Sequence, residues 1–115
     1  MQFNPCPFSR KIFVKVTTDA SIYEIEPKQV VYPKNCNDLI KVIRKLLLSK
    51  QSFTMRAGGT SIGGQAIGEG VIVDISKNLT NIVDFQEDKK KIIVEPGVIQ
   101  DDLNLFLQPY NLKFA

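Results

Sequence analysis

The apolar and polar positions in the first part of the chain predict a strand–helix–strand unit. Strand-like runs occupy positions 29–33, 52–56 and 71–74. The first is β-branched and apolar and is bounded by prolines, which is typical of a buried strand. Between the first two runs, apolar side chains recur at helical spacing from 39 to 47, and basic side chains take the other face. Asn37 suits the N-cap, and Asp38 suits the first turn, where a negative charge is favoured. We therefore expect the helix to begin after Asn37.

The second part of the chain predicts a hairpin and another helix. Positions 82–86 and 91–95 have strand patterns and are joined by a charged turn at 87–90. Pro96-Gly97 ends the second strand, and a helix is expected to begin at Gln100 or Asp101. The segment 112–114, with apolar residues on either side of Lys113, indicates the start of a further strand. This order of elements indicates an α/β (α+β) fold, with a small mixed sheet and flanking helices.

The start of the chain predicts little regular structure. Pro5 and Pro7 indicate an extended arm, followed by apolar residues at 12–16 that form either a short strand or an apolar anchor. At 19–23 we expect a polar turn containing one helical turn, capped by Thr18 or Asp19.

Composition indicates one ordinary soluble domain. The chain has 115 residues, of which 43% are hydrophobic and 23% charged, with a net charge of +3. The basic residues are scattered, which argues against nucleic-acid binding. The cluster at 89–91 follows two acidic residues, so we interpret it as a solvated turn. Cys6 and Cys36 lack metal-site spacing and are expected to be free thiols.

The N-terminal residues and the apolar runs bear on localisation. Positions 1–11 lack the apolar segment of a signal peptide, and no apolar run approaches the ~20 residues of a membrane span. We therefore expect a soluble, cytoplasmic protein. Histidine is absent, which excludes a histidine base or metal ligand within this chain.

The most distinctive stretch is residues 56–65, which we call the glycine loop. Its small side chains leave the backbone N–H groups uncovered, and successive N–H groups in a turn form a positive nest for an anion. We expect Arg56 to add charge from the rim and the two hydroxyl residues to add donors. The loop thus predicts a phosphate or pyrophosphate cradle, with a ligand-free hinge as the alternative. Its members are Arg56, Ala57, Gly58, Gly59, Thr60, Ser61, Ile62, Gly63, Gly64 and Gln65.

The two common phosphate motifs do not fit this loop. A P-loop needs a lysine followed by Ser or Thr, and no lysine occurs between Lys50 and Lys77. A dinucleotide fingerprint starting at Gly68 would place Val73 where its third glycine belongs. A cradle between two strands remains.

Two other sites are weaker candidates. Pro96-Gly97 lies between a strand and a helix, where backbone can face a ligand, although an ordinary corner is the favoured interpretation. Asp101-Asp102 is better explained by the helix dipole than by paired catalytic carboxylates.

These segments together resemble the FAD-linked oxidase family, whose FAD-binding domain is of the vanillyl-alcohol oxidase or p-cresol methylhydroxylase (PCMH) type. The resemblance rests on the glycine loop, on residues 71–74 and 94–98, and on the segments 18–23 and 30–33. The last two are similar to the D-lactate and glycolate dehydrogenase branch in particular. The resemblance covers residues 18–115, which would form the first lobe of the FAD-binding domain, with residues 1–17 as an arm.

The resemblance implies a set of cofactor contacts. Backbone amides from Ala57 to Ser61 and near Gly64-Gln65 would bind the FAD pyrophosphate. Pro33 would lie near the adenine, and Pro96-Gly97-Val98 would line the cofactor cleft. Some relatives bond a histidine to the flavin, whereas Ala57 follows Arg56 here, so non-covalent FAD is expected.

The family's domains continue into a second lobe and a substrate domain, so we expect an excised fragment rather than a truncated gene product. No catalytic residue can be named. The fragment alone is expected to be inactive, and FAD can be absent from the isolated fragment. The main hypothesis is an FAD-binding segment of a 2-hydroxy acid dehydrogenase. The alternatives are a nucleotide- or phosphate-binding module without redox activity and a self-associating α/β interaction domain, since exposed edges and apolar surface favour a homodimer.

Overall fold

The computed structural model describes residues 16–115 of the chain. The predicted arm therefore lies outside the described residues, except for Val16 and Thr17. The elements follow in the order β1 (Gln29–Val31), α1 (Cys36–Leu48), β2 (Phe53–Arg56), β3 (Val71–Asp74), β4 (Ile82–Gln86), β5 (Lys91–Val94) and α2 (Gln100–Leu107). A short 3-10 helix, Gln108–Tyr110, follows α2. Among the described residues, no helix is both long and apolar enough to cross a membrane.

The first sheet is parallel, with β3 at its centre. The strand order is β1-β3-β2, and Val30 pairs with Ile72 while Thr54 pairs with Ile72 from the other side. All four residues of β3 are buried. This agrees with the continuous apolar run that a strand covered on both faces requires.

Helix α1 covers one face of this sheet. Val42 and Leu46 of the helix form a core cluster with Val31, Val71 and Val73. Leu46 is 1% exposed, and burying a leucine contributes about 1.5–3 kcal/mol. The alternation of side chains along a strand places Val30 and Ile72 on the opposite face.

The opposite face is covered partly by Val16, which forms a second cluster with Val30 and Ile72. Thr54 and Arg56 share this face because they alternate with Phe53 and Met55 along β2. The segment between β2 and β3 lies against the side chains of Thr54 and Arg56. Gly68 approaches Thr54 so closely that a Cβ would lie 2.6 Å from the threonine Oγ1. The glycine loop therefore belongs to the crossover that joins two parallel strands.

The predicted hairpin is confirmed as a separate two-stranded sheet. Strands β4 and β5 are antiparallel, with an irregularity between Ile82 and Asp84. Helix α2 and the 3-10 helix contact the hairpin through aromatic rings, with the Phe85 centroid 5.6 Å from Phe106 and 4.7 Å from Tyr110. Such ring pairs contribute about 0.5–1.5 kcal/mol beyond their burial. The α/β class is confirmed, and its parallel and antiparallel pairs lie in two small sheets.

Three local predictions are wrong. The N-cap of α1 is Asn35 rather than Asn37, because the Asn35 side chain accepts from the Asp38 backbone N–H at 2.9 Å. Residues 19–23 form bends rather than a helical turn, since Asp19 accepts from the Ser21 N–H at 2.8 Å. Residues 112–114 form no strand, and the Phe114 N–H donates instead to the Asn104 side chain.

Candidate functional site

The candidate site lies at the carboxyl edge of the parallel sheet. The glycine loop follows β2, Pro33 follows β1, and a turn at residues 75–79 follows β3. In open α/β sheets, ligands bind in the crevice outside the carboxyl ends of the strands. The topology therefore brings two of the predicted segments, Pro33 and the glycine loop, to the edge where a ligand is expected.

The backbone of the glycine loop presents a run of donors without partners. None of the described residues 16–115 accepts a hydrogen bond from the backbone N–H groups of residues 57–62. Ala57, Gly58 and Thr60 are exposed, and Gly59 and Ser61 are half-buried. Six successive backbone donors are thus open toward solvent, and such a run has the donors that an anion nest needs.

Arg56 supports the loop from beneath instead of from the rim. Its side chain is buried, at 6% exposure, and its Nη1 donates to the Ala66 carbonyl at 3.2 Å. Gly59 has a φ of +67°, and a Cβ there would overlap with the Arg56 guanidinium. The expected rim position is thus corrected, because the strand points this side chain toward the face that the loop covers.

The hydroxyl of Ser61 is also used within the protein. Its Oγ donates to Asp19 Oδ2 at 2.6 Å, and its carbonyl accepts from the Ala20 N–H at 2.9 Å. The hydroxyls of Ser21 and Ser61 hold the pKa of Asp19 well below its usual range, and backbone N–H groups of Ser21 and Ala66 add to this effect. The Ser61 proton expected for the ligand therefore faces a carboxylate.

The second half of the loop is closed by its own side chains. Gln65 Oε1 accepts from the Gly63 N–H at 3.0 Å. Gly64 has a φ of +77°, which favours glycine, and a Cβ there would lie 3.4 Å from the Tyr23 ring. Tyr23 is itself an exposed residue, so it packs at the rim of the loop.

Pro33 is fully buried at the end of β1. Its carbonyl accepts from Asn78 Nδ2 at 3.1 Å. The Lys77 Nζ lies 5.2 Å from the centroid of the neighbouring Tyr32 ring. Pro33 thus lies at the carboxyl edge of the sheet, where its carbonyl is bonded to the turn that follows β3.

Pro96-Gly97-Val98 packs against the turn that follows β3. The Gly97 N–H donates to the Leu79 carbonyl at 2.8 Å, and a Cβ would lie 2.6 Å from the carbonyls of both Ile75 and Leu79. The Ile75 N–H in turn donates to the Arg56 carbonyl at 2.9 Å. Glycine is required at position 97 because the backbone of the turn approaches it closely. The same turn is hydrogen-bonded through Ile75 to Arg56, the first residue of the glycine loop.

Two residues that support the site were absent from the predicted contacts. Asn78 bridges β1 and β3, and nothing in the sequence distinguishes it from other turn asparagines. Asp19 contacts the loop across the fold, and its spacing to Ser21 is a signal for a turn in which the carboxylate accepts a backbone N–H.

Comparison with known proteins decides the family. A family model described as an FAD binding domain matches residues 27–115. The chain belongs to this FAD-binding family. It is 38% identical over 103 residues to D-2-hydroxyglutarate dehydrogenase of Escherichia coli (strain K12), covering 87% of this chain and 10% of that protein. It is 33% identical over 96 residues to the mitochondrial cytochrome D-lactate dehydrogenase of Kluyveromyces lactis, covering 77% of this chain and 16% of that protein.

A solved structure shows the same fold. CrmK, a flavoenzyme involved in shunt product recycling in caerulomycin biosynthesis, superposes with a TM-score of 0.70 at 16% identity. The match covers 91% of this chain and 22% of CrmK. The FAD-binding family thus confirms the resemblance and FAD as the cofactor, while the chain spans about a tenth of the D-2-hydroxyglutarate dehydrogenases that it matches.

Proposed function

We propose that the glycine loop binds the pyrophosphate of FAD through the backbone N–H groups of residues 57–62. The observation that carries this proposal is the run of six donors without partners at the carboxyl edge of the sheet. A pyrophosphate has several acceptor oxygens and negative charge, which such a nest matches.

The loop suits a pyrophosphate in its shape as well as in its electrostatics. Gly59 and Gly64 have left-handed φ values, and the exposed Gly58 and Gly63 carry no side chain toward solvent. Backbone can therefore approach phosphate oxygens closely. Buried Arg56 holds the loop by its bond to Ala66, and its positive charge lies beneath the nest. Because residues 1–115 contain no histidine, we propose that this segment contributes no covalent histidine link to FAD.

We further propose that this segment serves a dehydrogenase of a small 2-hydroxy acid. The support is the similarity to proteins named D-2-hydroxyglutarate and D-lactate dehydrogenase. Bound FAD supplies the two-electron acceptor for such a reaction. Residues 57–62 would bind and orient the cofactor, while other parts of the protein would bind the substrate. We do not expect turnover from residues 1–115 alone.

A titration with flavins tests the pyrophosphate assignment. The flavin fluorescence of FAD should be quenched on binding. FAD should bind about tenfold or more tightly than riboflavin, which lacks the charged pyrophosphate. ADP should compete with FAD because it carries the same pyrophosphate. Equal affinity for riboflavin and FAD would contradict the assignment. Affinity for ADP as high as for FAD would instead favour a nucleotide-binding module without a redox role.

A further inference from the structure

A segment distant in sequence closes against the glycine loop. Residues 18–24 form a small turn, whose ends Thr18 and Glu24 pair as an isolated antiparallel bridge. From this turn the Ala20 N–H donates to the Ser61 carbonyl at 2.9 Å. The turn and the loop are thus joined by a backbone hydrogen bond between residues more than forty positions apart.

Asp19 provides the side-chain part of this contact. Its Oδ1 accepts from the Ser21 N–H at 2.8 Å, which shapes the turn. Its Oδ2 accepts from Ser61 Oγ at 2.6 Å and, at the longer distance of 3.5 Å, from the Ala66 N–H. One carboxylate oxygen therefore faces both ends of the segment 61–66.

We infer that Asp19 is a positioning residue, which fixes residues 61–66 so that the N–H groups of residues 57–62 stay arranged for an anion. Asp19 does not contact that anion, because its own negative charge would repel a phosphate. The inference deepens the proposed pyrophosphate function and rests on it.

The physical reason lies in the flexibility of the loop. Glycine loses more conformational freedom on ordering than any other residue, and the segment 58–64 contains four glycines. A loop that is ordered before the ligand arrives avoids that entropy cost on binding. Charge-assisted hydrogen bonds such as that from Ser61 to Asp19 are stronger than neutral ones. The low pKa of Asp19 agrees with an ionised carboxylate in this place.

The first test measures loop order without any ligand. Amide hydrogen exchange is followed in the wild type, in Asp19→Ala and in Ser61→Ala. Both variants should speed hydrogen exchange of the Ala20 N–H. Ser61→Ala leaves the residues adjacent to Ala20 in the sequence unchanged, so its effect does not come from a changed intrinsic exchange rate. The Ile75 N–H, bonded to the Arg56 carbonyl, should keep its protection and so report an intact sheet.

The second test measures FAD affinity in the same proteins. Asp19→Ala should weaken FAD binding by about tenfold, the size expected for the loss of a charged hydrogen bond. Ser61→Ala removes only the Ser61–Asp19 bond and should weaken binding by no more than Asp19→Ala does. The double variant should be no weaker than Asp19→Ala, since Asp19→Ala already removes that bond. Asp88→Ala makes the same charge change in the exposed turn at 87–90, on the separate β4–β5 hairpin, and should bind like the wild type.

The two tests separate the inference from the function beneath it. If the wild type failed to bind FAD, the pyrophosphate assignment would fail, and exchange at Ala20 would still decide whether Asp19 orders the loop. Unchanged exchange at Ala20 in both variants overturns the inference. So does faster exchange with unchanged FAD affinity. If the Ile75 N–H lost its protection in Asp19→Ala, the sheet would no longer be intact in that variant. Both tests would then be made with Asp19→Asn and Ser61→Ala.

Discussion

Gly59 packs against the guanidinium of Arg56 with a φ of +67°, a conformation that side-chain-bearing residues rarely adopt. Its neighbour Gly58 has no such constraint, because a Cβ there would meet only Thr60 Cγ2, at an ordinary 3.7 Å. Two adjacent glycines thus have different structural roles. Only at position 59 does the backbone conformation require glycine.

This difference predicts the effects of two matched substitutions. Gly59→Ala should lower the free energy of unfolding by about 1–2 kcal/mol, since alanine is strained at positive φ and overlaps with Arg56. It should also weaken FAD binding. Gly58→Ala should leave stability within about 0.5 kcal/mol of the wild type. Urea unfolding and FAD titration measure both quantities, and equal effects of the two substitutions would refute the assigned roles.

Asp19 predicts a pH dependence of stability. Since its pKa is lower in the folded chain than in the unfolded chain, unfolding takes up a proton at acid pH. Its contribution to stability is complete above about pH 4, the ordinary range of an aspartate, and is lost as the pH falls further.

Asp19→Asn should remove this contribution. Urea midpoints measured at a series of pH values should fall more steeply below about pH 4 in the wild type than in the variant. Asp88→Asn should retain the wild-type slope. Parallel curves for wild type and Asp19→Asn would show that Asp19 is not stabilised in its ionised form.

The sequence could predict the glycine loop as the candidate site, but not the contacts of Arg56 and Asp19 that hold the loop in place. The glycine cluster and its hydroxyl neighbours are local signals, which the structure places together in one loop. The burial of Arg56 depends on which face of β2 the crossover covers, and that is a property of tertiary packing. The bond between Ser61 and Asp19 likewise joins two segments whose distance in space no local pattern encodes.

Among the elements, α1 shows how a local pattern can be misread by one half-turn. Asn35 and Asn37 both precede the apolar stripe, and Asn37 is the closer. The structure selects Asn35, whose side chain accepts from the Asp38 N–H, while Asp38 accepts from the Lys34 N–H at 2.9 Å. This pairing resembles a capping box with the same spacing of three residues, except that Asp38 accepts from the N–H of Lys34, the residue before the N-cap.

Substitution of the two asparagines tests this assignment. Asn35→Ala should lower the free energy of unfolding by about 1 kcal/mol, because the first turn loses its side-chain acceptor. Asn37→Ala should have little effect, since Asn37 is exposed within the first turn. Thermal or urea unfolding measures both. A larger loss for Asn37→Ala would restore the original prediction.

The segment 112–114 shows the limit of strand propensity. Its apolar residues suit a strand, but a strand needs a partner with free backbone groups. Here the Leu112 N–H donates to the Leu107 carbonyl and the Phe114 N–H to the Asn104 side chain. Both bonds tie the segment to α2, so pairing with a sheet does not occur among the described residues.

At the scale of the whole molecule, the strand order β1-β3-β2 determines the site. It makes β3 central and forces the chain to return from β2 across the sheet through the glycine-rich crossover. Periodicity predicted the types of most elements, because it reflects local burial. The strand order and the contacts of Gly97 with Leu79 and of Asn78 with Pro33 are non-local, and one sequence carries no direct signal for them.

The most direct test of the pyrophosphate assignment follows individual backbone amides by ¹H–¹⁵N NMR as FAD is added to the chain. The largest and saturable shifts should fall on the N–H groups of residues 57–62, because these donors have no partner among the described residues. The turn at 87–90, on the separate hairpin, should not shift. Saturable shifts elsewhere with residues 57–62 unchanged, or no binding at all, would contradict the assignment of the pyrophosphate to this loop.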